Sequence, residues 1–388
     1  MYRRESNKQF LRRVLRQYYS RRPLVEPPNL HSREIALVDL ESEAYVRHLS
    51  FPSMAQLYHF IVDQKTPLHL YYSSAVYDDP SAENMSMKGW KGSELIFDID
   101  VDHLPGCDLK LKVCVEDNSV LGEHTEKCPS GSEPVEVSVI EPECFRKGLG
   151  EASKLREILE EDFGFKDVKV YFSGHRGFHV RVSDDSALDL TREARASIAD
   201  YVSCENMDVS RLFPSDTSSR AGFVYFGENE AGFRKRVLKL ALEMGLAEKV
   251  VVAEGFRSPP RHSERGVLYR VPGEYLSNIL SDLCVKVDKV VTMDITRLSR
   301  FEGGINGKAG LKVAEFKEDE PFSFTELFAW SGRVVVSPLI DFTGFRVFDQ
   351  KLNLKRGVRL ELEAPYAIYL ILKKLANYVS DKGVEPLV

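Results

Sequence analysis

Apolar and acidic residues alternate with a period of two between Glu94 and Asp102. Such alternation is typical of a β-strand, because successive side chains of a strand point to opposite faces of the sheet. The apolar positions would pack into a core and the acidic positions would share the other face: Leu95, Phe97, Ile99 and Val101 against Asp98, Asp100 and Asp102. Aspartate is depleted in strands, so three on one face indicate a specialised environment.

The same periodicity predicts further elements along the chain. Apolar residues at helical spacing predict a surface helix over residues 10–19, and a charged amphipathic helix over residues 146–163. Pro365 is expected to open a last helix that extends to about Val379, since proline favours the first helical turn. The predicted strands are residues 67–72, 168–172, 178–182, 285–293 and 311–316.

The order of these elements predicts an α/β fold. A discontinuous mixed α/β domain is expected from residues 1–190 and 281–388, because strands with polar motifs occur in both parts. Helical periodicity is stronger between them, so residues 191–280 are predicted to form a mainly helical insertion. Residues 103–146 show little periodicity and contain most of the clustered cysteines, which suggests a separate small insertion.

Composition narrows the class of protein only mildly. The 388 residues carry a formal net charge of −6, which is evidence against strong independent binding to nucleic acid. A basic cleft on an otherwise acidic protein would still be compatible with this net charge. No apolar run approaches the roughly 20 residues of a membrane helix. The basic N-terminus lacks a secretory apolar core and cleavage site. We therefore expect an intracellular, cytoplasmic protein without a membrane partner.

The acidic strand indicates a divalent cation. Mg²⁺ and Mn²⁺ are hard cations that accept carboxylate oxygens and keep positions open for phosphate. The alternative is an exposed strand face that is merely acidic. The uninterrupted apolar partner face favours a buried position instead, where unpaired carboxylates would be costly.

A second motif lies in the turn between two predicted strands. Residues 173–179 read Ser-Gly-His-Arg-Gly-Phe-His. Glycines let the backbone approach an anion closely, and Ser, His and Arg donate hydrogen bonds to phosphate oxygens. A solvated hairpin turn is the alternative. Next to an acidic strand, however, a polyphosphate cradle indicates metal-assisted phosphoryl or nucleotidyl transfer.

A third candidate lies near residue 300. Asp294 ends an apolar segment, Arg297 and Arg300 follow it, and residues 303–310 form a glycine-rich loop around Lys308. A third carboxylate with phosphate-reaching cations would complete a two-metal site. Asp294 as a simple helix cap is the alternative.

The cysteines suggest a separate metal site. Without a secretion signal a disulfide framework is not expected. Five candidate ligands occur in one window: Cys107, Cys114, His124, Cys128 and Cys144. A structural zinc site needs four ligands, and only His124 and Cys128 have tight metal-like spacing, so scattered thiols are the alternative. Cys204 and Cys284 lie apart and are expected in the core.

These motifs together resemble a known family. Lys88-Gly89-Trp90, the strand motif of residues 95–100, the motif of residues 173–179, and Asp294 with its Gly-Lys-Ala-Gly sequel occur in one order. In that order and spacing the chain resembles the small catalytic subunit of archaeal and eukaryotic DNA primases, most closely the archaeal form. The resemblance implies a mixed α+β primase fold for the discontinuous domain.

The resemblance also implies roles for individual residues. Two Mg²⁺ or Mn²⁺ ions would be held by Asp98, Asp100 and Asp294, with Asp102 just beyond the family's acidic pair. The triphosphate of the incoming nucleotide would be held by Ser173, His175, Arg176, His179, Arg300 and Lys308. Structural Zn²⁺ would be held by Cys107, His124, Cys128 and Cys144, with Cys114 as the alternative ligand. Asn306 stands where the family usually has histidine; it keeps a hydrogen-bond donor for phosphate but no charge, which predicts weaker nucleotide binding.

The activity implied by the resemblance is de novo synthesis of short primers on single-stranded DNA for DNA replication. Its partners would be a primase large subunit in a heterodimer, the single-stranded DNA template and nucleoside triphosphates. One alternative is a non-catalytic, zinc-stabilised subunit that binds template and scaffolds a replication complex. Another is a metal-dependent phosphohydrolase or nuclease.

Overall fold

The polar motifs lie on and beside a central antiparallel sheet. The computed structural model of the chain describes residues 5–107, 110–122, 125–216, 222–251, 267–317 and 321–388. In the central sheet the strand order is Ala314–Phe316, Val168–Phe172, Gly177–Val182 and Leu95–Asp100. A second four-stranded sheet has the order Leu298–Arg300, Pro67–Ser73, Ile35–Asp39 and Tyr45–Leu49.

The remaining strands form smaller sheets and ribbons. A third sheet has the order Ser215–Asp216, Phe223–Gly227, Val267–Pro272 and Glu248–Val251. A C-terminal sheet has the order Leu360–Glu363, Trp330–Pro338 and Ala376–Pro386. The last small sheet has the order Ser119–Leu121, Lys110–Cys114 and Val135–Ser138. Paired ribbons are Ala75–Tyr77 with Trp90–Ser93, Ile305–Asn306 with Leu311–Lys312, and Phe342–Val347 with Gln350–Leu354.

Helices cover the sheets. The α-helices are Asn7–Ser20, Met54–His59, Pro142–Asp162, Asp185–Leu188, Arg192–Ser203, Val209–Leu212, Gly232–Glu243, Leu276–Leu283, Lys289–Met293, Phe324–Leu327 and Ala364–Leu372. The long helix Pro142–Asp162 packs on the central sheet through Phe145, whose ring lies edge-on to Phe172 at 6.0 Å. Apolar positions of the acidic strand are buried in the same core, so its acidic positions face the other way. No described helix is long and apolar enough to span a membrane.

Several predicted elements are confirmed. The N-terminal helix is stabilised by a capping box. The Ser6 hydroxyl oxygen accepts a hydrogen bond from the Gln9 N–H, and the Gln9 side-chain oxygen accepts one from the Ser6 N–H. Its apolar stripe is buried, as the helical spacing predicts. The strands predicted over 67–72, 168–172 and 178–182 are all present.

Two predictions are wrong in instructive ways. Residues 285–293 do not form a strand, because Asp288 accepts hydrogen bonds from the N–H groups of Val290 and Val291 and so caps the short helix Lys289–Met293. The last helix ends at Leu372 rather than near Val379, and the chain then pairs with Trp330–Pro338 as a strand. Long-range pairing here overrides local periodicity.

The insertion over residues 191–280 has a core of its own. Phe213, Phe226 and Val237 are among the buried residues of this second cluster. It combines helices with the third sheet, so the segment contains more strand than a mainly helical prediction implies. The assignment of domain boundaries at 190 and 281 stays a prediction.

The cysteines are paired in disulfides, contrary to expectation. Cys107 pairs with Cys144, Cys114 with Cys128, and Cys204 with Cys284. A disulfide sulfur is not the thiolate that zinc requires. The predicted zinc set of Cys107, His124, Cys128 and Cys144 is therefore not formed by these sulfurs, Cys114 is not spare, and His124 lies outside the described residues.

Candidate active site

A cleft of about 860 Å³ opens between the central and second sheets. Every residue that the sequence suggests for catalysis or phosphate binding lines it: Asp98, Asp100, Ser173, His175, Arg176, His179, Asp294, Arg300, Asn306 and Lys308. These residues come from three separate stretches of the chain, so the fold brings the three motifs together. Asp102 and the cysteines are not among the lining residues.

The register of two strands places the acidic strand beside the strand that follows the turn of residues 173–176. In the antiparallel pair, Asp98 lies opposite His179 and Asp100 lies opposite Gly177. Residues directly opposite on neighbouring strands share a face of the sheet. The His179 Nε2 atom is accordingly 3.4 Å from Asp98 Oδ1. The two aspartates thus face the turn that begins at Ser173.

The third acidic position leaves this face. The strand ends at Asp100, and Asp102 lies in a 3₁₀ turn, so the expectation of three aspartates on one strand face is wrong. Asp102 is buried and its carboxylate lies 3.0 Å from Arg176 Nη1 and 3.6 Å from Lys110 Nζ. It therefore holds the arginine of the phosphate motif in place.

Burial shapes the acid–base behaviour of the aspartates. It raises the pKa of Asp98 to about 6, an effect opposed by Arg297, whose Nη2 atom lies 4.0 Å from the carboxylate. Burial and the neighbouring charges of Asp98 and Asp102 also raise the pKa of Asp100. Carboxylates whose ionised forms are disfavoured in this way gain most from a cation placed between them.

Asp294 lies in the same cleft but is held locally. Its Oδ1 atom accepts hydrogen bonds from the Thr296 N–H at 2.9 Å and from the Thr296 hydroxyl at 2.8 Å. Among the described residues, two groups of three potential metal ligands have their ligand atoms within 4.8 Å of one another: Asp100, Asp102 and His103, and Cys114, Asp117 and Cys128. Neither group is the predicted aspartate trio. Asp98, Asp100 and Asp294 thus line the same cleft, but their carboxylate oxygens do not all lie within 4.8 Å of one another.

The two glycine-containing loops are joined directly. Asn306 is buried, its Nδ2 donates to the Ser173 carbonyl at 2.8 Å, and its Oδ1 accepts from the Lys308 N–H at 3.1 Å. Gly174 has a φ of +78°, and a Cβ on it would lie 2.7 Å from Asn306 Cβ. Only glycine fits this contact without strain.

The basic side of the cleft contains neutral histidines. Burial lowers the pKa of His179 to about 3, with Arg300 and Arg181 adding to the effect. Burial and the nearby Lys373 and Arg176 hold the pKa of His175 well below its usual range. These imidazoles are thus hydrogen-bonding groups, and the positive charge comes from arginine and lysine.

His69 is a site residue that the sequence analysis missed. Its Nδ1 atom lies 3.0 Å from Arg300 Nη1 and 3.3 Å from the Gly307 N. Both of these partners can only donate, so His69 Nδ1 accepts both hydrogen bonds and carries no proton. The sequence did show His69 as a polar residue within the predicted strand of residues 67–72. It did not show that strand Leu298–Arg300 pairs with this strand and so brings Arg300 to His69.

Comparison with known proteins decides the family. The family model described as DNA primase small subunit matches residues 149–318. The DNA primase small subunit PriS of Staphylothermus marinus is 45% identical over 380 residues, which cover 97% of this chain and 97% of the relative. The chain belongs to the DNA primase small subunit family. Its cleft is accordingly the candidate active site of a DNA primase.

Other archaeal relatives agree along nearly the whole chain. PriS of Saccharolobus islandicus strain L.S.2.15 is 34% identical over 372 residues, or 95% of this chain and 94% of the relative. PriS of Sulfurisphaera tokodaii is 34% identical over 377 residues, or 96% and 97%. The primase assignment therefore extends beyond the motifs to the second sheet, the insertion and the C-terminal sheet.

Proposed function

We propose that this primase subunit synthesises short primers de novo on single-stranded DNA, as a nucleotidyltransferase that uses two divalent cations. The observation that carries the proposal is the strand register that sets Asp98 and Asp100 opposite His179 and Gly177. This register puts cation-binding oxygens next to a phosphate-binding turn, which is the arrangement that nucleotidyl transfer requires.

The donor set fits Mg²⁺ or Mn²⁺. Asp98, Asp100 and Asp294 offer only carboxylate oxygens, which hard cations prefer. The pKa of Asp98 is raised because its carboxyl is buried, and the positive charge of Arg297 offsets the effect of burial only in part. Ions bound by these three residues would supply Lewis-acid stabilisation to the attacking hydroxyl oxygen and to the phosphate oxygens.

The other residues bind and orient the triphosphate. Arg176, fixed by Asp102, and Lys308 provide positive charge at the ends of the two joined loops. Arg300 is held by His69 and by the face of Tyr71, whose centroid is 5.1 Å from its Cζ. Preorganised cations of this kind stabilise charge that develops on the departing pyrophosphate.

The partners in this proposal are the template, nucleoside triphosphates and a large subunit. A net charge of −6 fits a catalytic subunit that obtains part of its DNA affinity from another chain. Structural zinc is not part of the proposal, because the four clustered cysteines are paired with one another.

The test is primer synthesis on unprimed single-stranded DNA with Mg²⁺ or Mn²⁺ and labelled nucleotides, with and without the large subunit. We expect short products from wild type and none from an Asp98→Ala/Asp100→Ala double variant or from Asp100→Asn. Asp78→Asn is the matched control, because this exposed aspartate pairs with Lys91 and is not among the cleft-lining residues. Thermal unfolding of each variant establishes that it is folded.

The results also separate the two rival functions. Near-normal synthesis by Asp100→Asn would exclude the proposed mechanism. DNA binding that survives loss of both aspartates and needs no cation, with no synthesis by wild type, would favour a scaffold. Pyrophosphate released only when template is present indicates synthesis, whereas template-independent hydrolysis indicates a phosphohydrolase.

A further inference from the structure

The last helix brings an additional lysine to the phosphate-binding loops. Lys373 directly follows helix Ala364–Leu372 and is half-buried. The end of this helix packs closely on the loop that carries Lys308, since a Cβ on Gly310 would lie 3.2 Å from Leu372 Cδ1. No motif in the sequence marks this lysine.

Lys373 is also next to the other phosphate loop. Its Nζ atom lies 5.6 Å from the ring centroid of Tyr369, the residue one turn earlier. Tyr369 lines a small cavity of about 30 Å³ together with His175, Arg176 and Ala309, which belong to both loops. The helix end thus contacts the loop of Lys308 and faces the loop of Arg176 across this small cavity.

The surroundings of Lys373 are positively charged. Among the described residues it forms no ion pair with a carboxylate, whereas its exposed neighbour Lys374 lies 4.0 Å from Glu43. Burial lowers the pKa of Lys373 to about 8, and the charges of Lys308 and Arg176 add to this effect. A partly buried ammonium among other cations is unfavourable unless an anion joins them.

The arrangement indicates which part of an anion would bind there. Lys308 interacts electrostatically with Asp100, while Lys373 interacts with Lys308 and Arg176. Lys308 lines the cleft together with Asp98 and Asp100, whereas Lys373 does not line it and lies over Tyr369, which lines the small cavity, so Lys373 is farther from the acidic strand than Lys308 is. In a bound nucleotide, the phosphate farthest from the reacting centre is the terminal one.

We propose that Lys373 binds the terminal phosphate of the incoming nucleoside triphosphate together with Arg176 and Lys308. This inference rests on the proposed function, because it deepens the description of the same nucleotide site. It assigns the C-terminal helix a part in distinguishing triphosphates from diphosphates. The competing explanation is that Lys373 only stabilises the C-terminus of its helix through the helix dipole.

Equilibrium binding of ATP, ADP and AMP to the full chain with Mg²⁺, without DNA, tests the inference. We expect Lys373→Gln to weaken ATP binding about tenfold and to change ADP and AMP binding less than about twofold, since an ion pair with phosphate is lost. Lys373→Arg should bind ATP nearly as wild type does. Lys374→Gln is the matched control and should leave all three affinities unchanged.

Unchanged ATP binding by Lys373→Gln, or an equal loss for all three nucleotides, would overturn the inference while leaving the proposed function intact. Failure of wild type to bind any nucleotide would overturn the inference, whereas the proposed function is decided separately by primer synthesis on the template. A measurement on wild type alone covers the case in which the variant does not fold. ATP, but not AMP, should protect Lys373 and not Lys374 from acetylation, as quantified by mass spectrometry; equal labelling with and without ATP counts against the inference.

Discussion

The side-chain amide of Asn306 donates a hydrogen bond of 2.8 Å to the backbone carbonyl of Ser173, 133 residues earlier in the chain. The same side chain accepts from the Lys308 N–H. One buried amide therefore joins the two glycine-containing loops of the cleft. Asn306 was expected to donate to phosphate, but in this structure its donor is used to hold the loops in register.

Asn306→Ala should separate the loops. Loss of a buried hydrogen bond of this type is worth about 1–1.5 kcal/mol, so we expect the nucleotide KM to rise about tenfold. Steady-state primer synthesis at varied nucleotide concentration measures this. Asn353→Ala is the control, because Asn353 also accepts from a backbone N–H, that of Gly344, but lies outside the cleft lining. An equal change in both variants would contradict the loop-joining role.

Gly174→Ala should be more harmful than an alanine at a glycine of similar backbone conformation. Gly174 and Gly164 have φ values of +78° and +76°, but only Gly174 has a close neighbour, Asn306, whereas the space around Gly164 is open. We expect Gly164→Ala to lower the free energy of unfolding by about 1 kcal/mol and Gly174→Ala by about 2–4 kcal/mol. Chemical denaturation of both variants measures the difference, and similar losses would show that the contact with Asn306 relaxes freely.

His69 should make stability depend on pH. Burial, with Arg300 and Lys308, lowers its pKa to about 3, while the unfolded value is about 6.5. The unfolded state therefore binds the proton more tightly, so the contribution of His69 is complete above pH 6.5 and is lost as pH falls towards 3. At pH 5.5 the loss is about 1.4 kcal/mol.

The matched variant for this test is His69→Asn, which keeps an acceptor near the Nδ1 position but does not titrate. We expect wild type to lose about 1.4 kcal/mol more than the variant between pH 7.5 and 5.5 in chemical denaturation. Parallel pH profiles would mean that His69 does not hold Arg300 and Gly307 as a neutral acceptor.

The Cys204–Cys284 disulfide should stabilise the insertion. It closes a loop with a sequence separation of 80 residues, for which the chain-entropy model gives about 4.5 kcal/mol. We expect a Cys204→Ser/Cys284→Ser variant to lose a stability of this order in denaturation without reductant. If wild type and the variant unfold at the same denaturant concentration, the pair is not a disulfide in solution.

The cysteines near the acidic strand give a separate test. With Cys107–Cys144 and Cys114–Cys128 formed, intact mass analysis of unreduced protein should find no free thiol and metal analysis no bound zinc. Stoichiometric zinc together with free thiols would restore the ligand set that the family resemblance implies. Protein purified without chelator is the required sample.

The pattern of apolar and polar residues was sufficient to predict a feature where that feature depends on a single strand or helix. The alternation of residues 94–102 predicted the acidic strand, although not its end at Asp100, because a 3₁₀ turn there lets Asp102 pair with Arg176. The motifs also predicted the lining of one cleft. Neighbours distant in sequence were not predictable: His69 became a site residue only because the strand ending at Arg300 pairs beside it.

The acidic strand is an edge strand of the central sheet, and one backbone hydrogen bond ties its outer edge to the start of helix Lys289–Met293. Beyond its ladder to Gly177–Val182, the Asp98 carbonyl accepts from the Asp288 N–H at 3.2 Å. Local unfolding occurs where few buried contacts and exposed backbone hydrogen bonds hold a segment. The carbonyl and the N–H of one strand residue point to the same side, so the Asp98 N–H also points to the outer edge, whereas those of Phe97 and Ile99 point into the ladder. Amide hydrogens of Phe97 and Ile99 should therefore exchange with solvent far more slowly than that of Asp98, so the order of the two aspartates depends mainly on the inner edge of their strand.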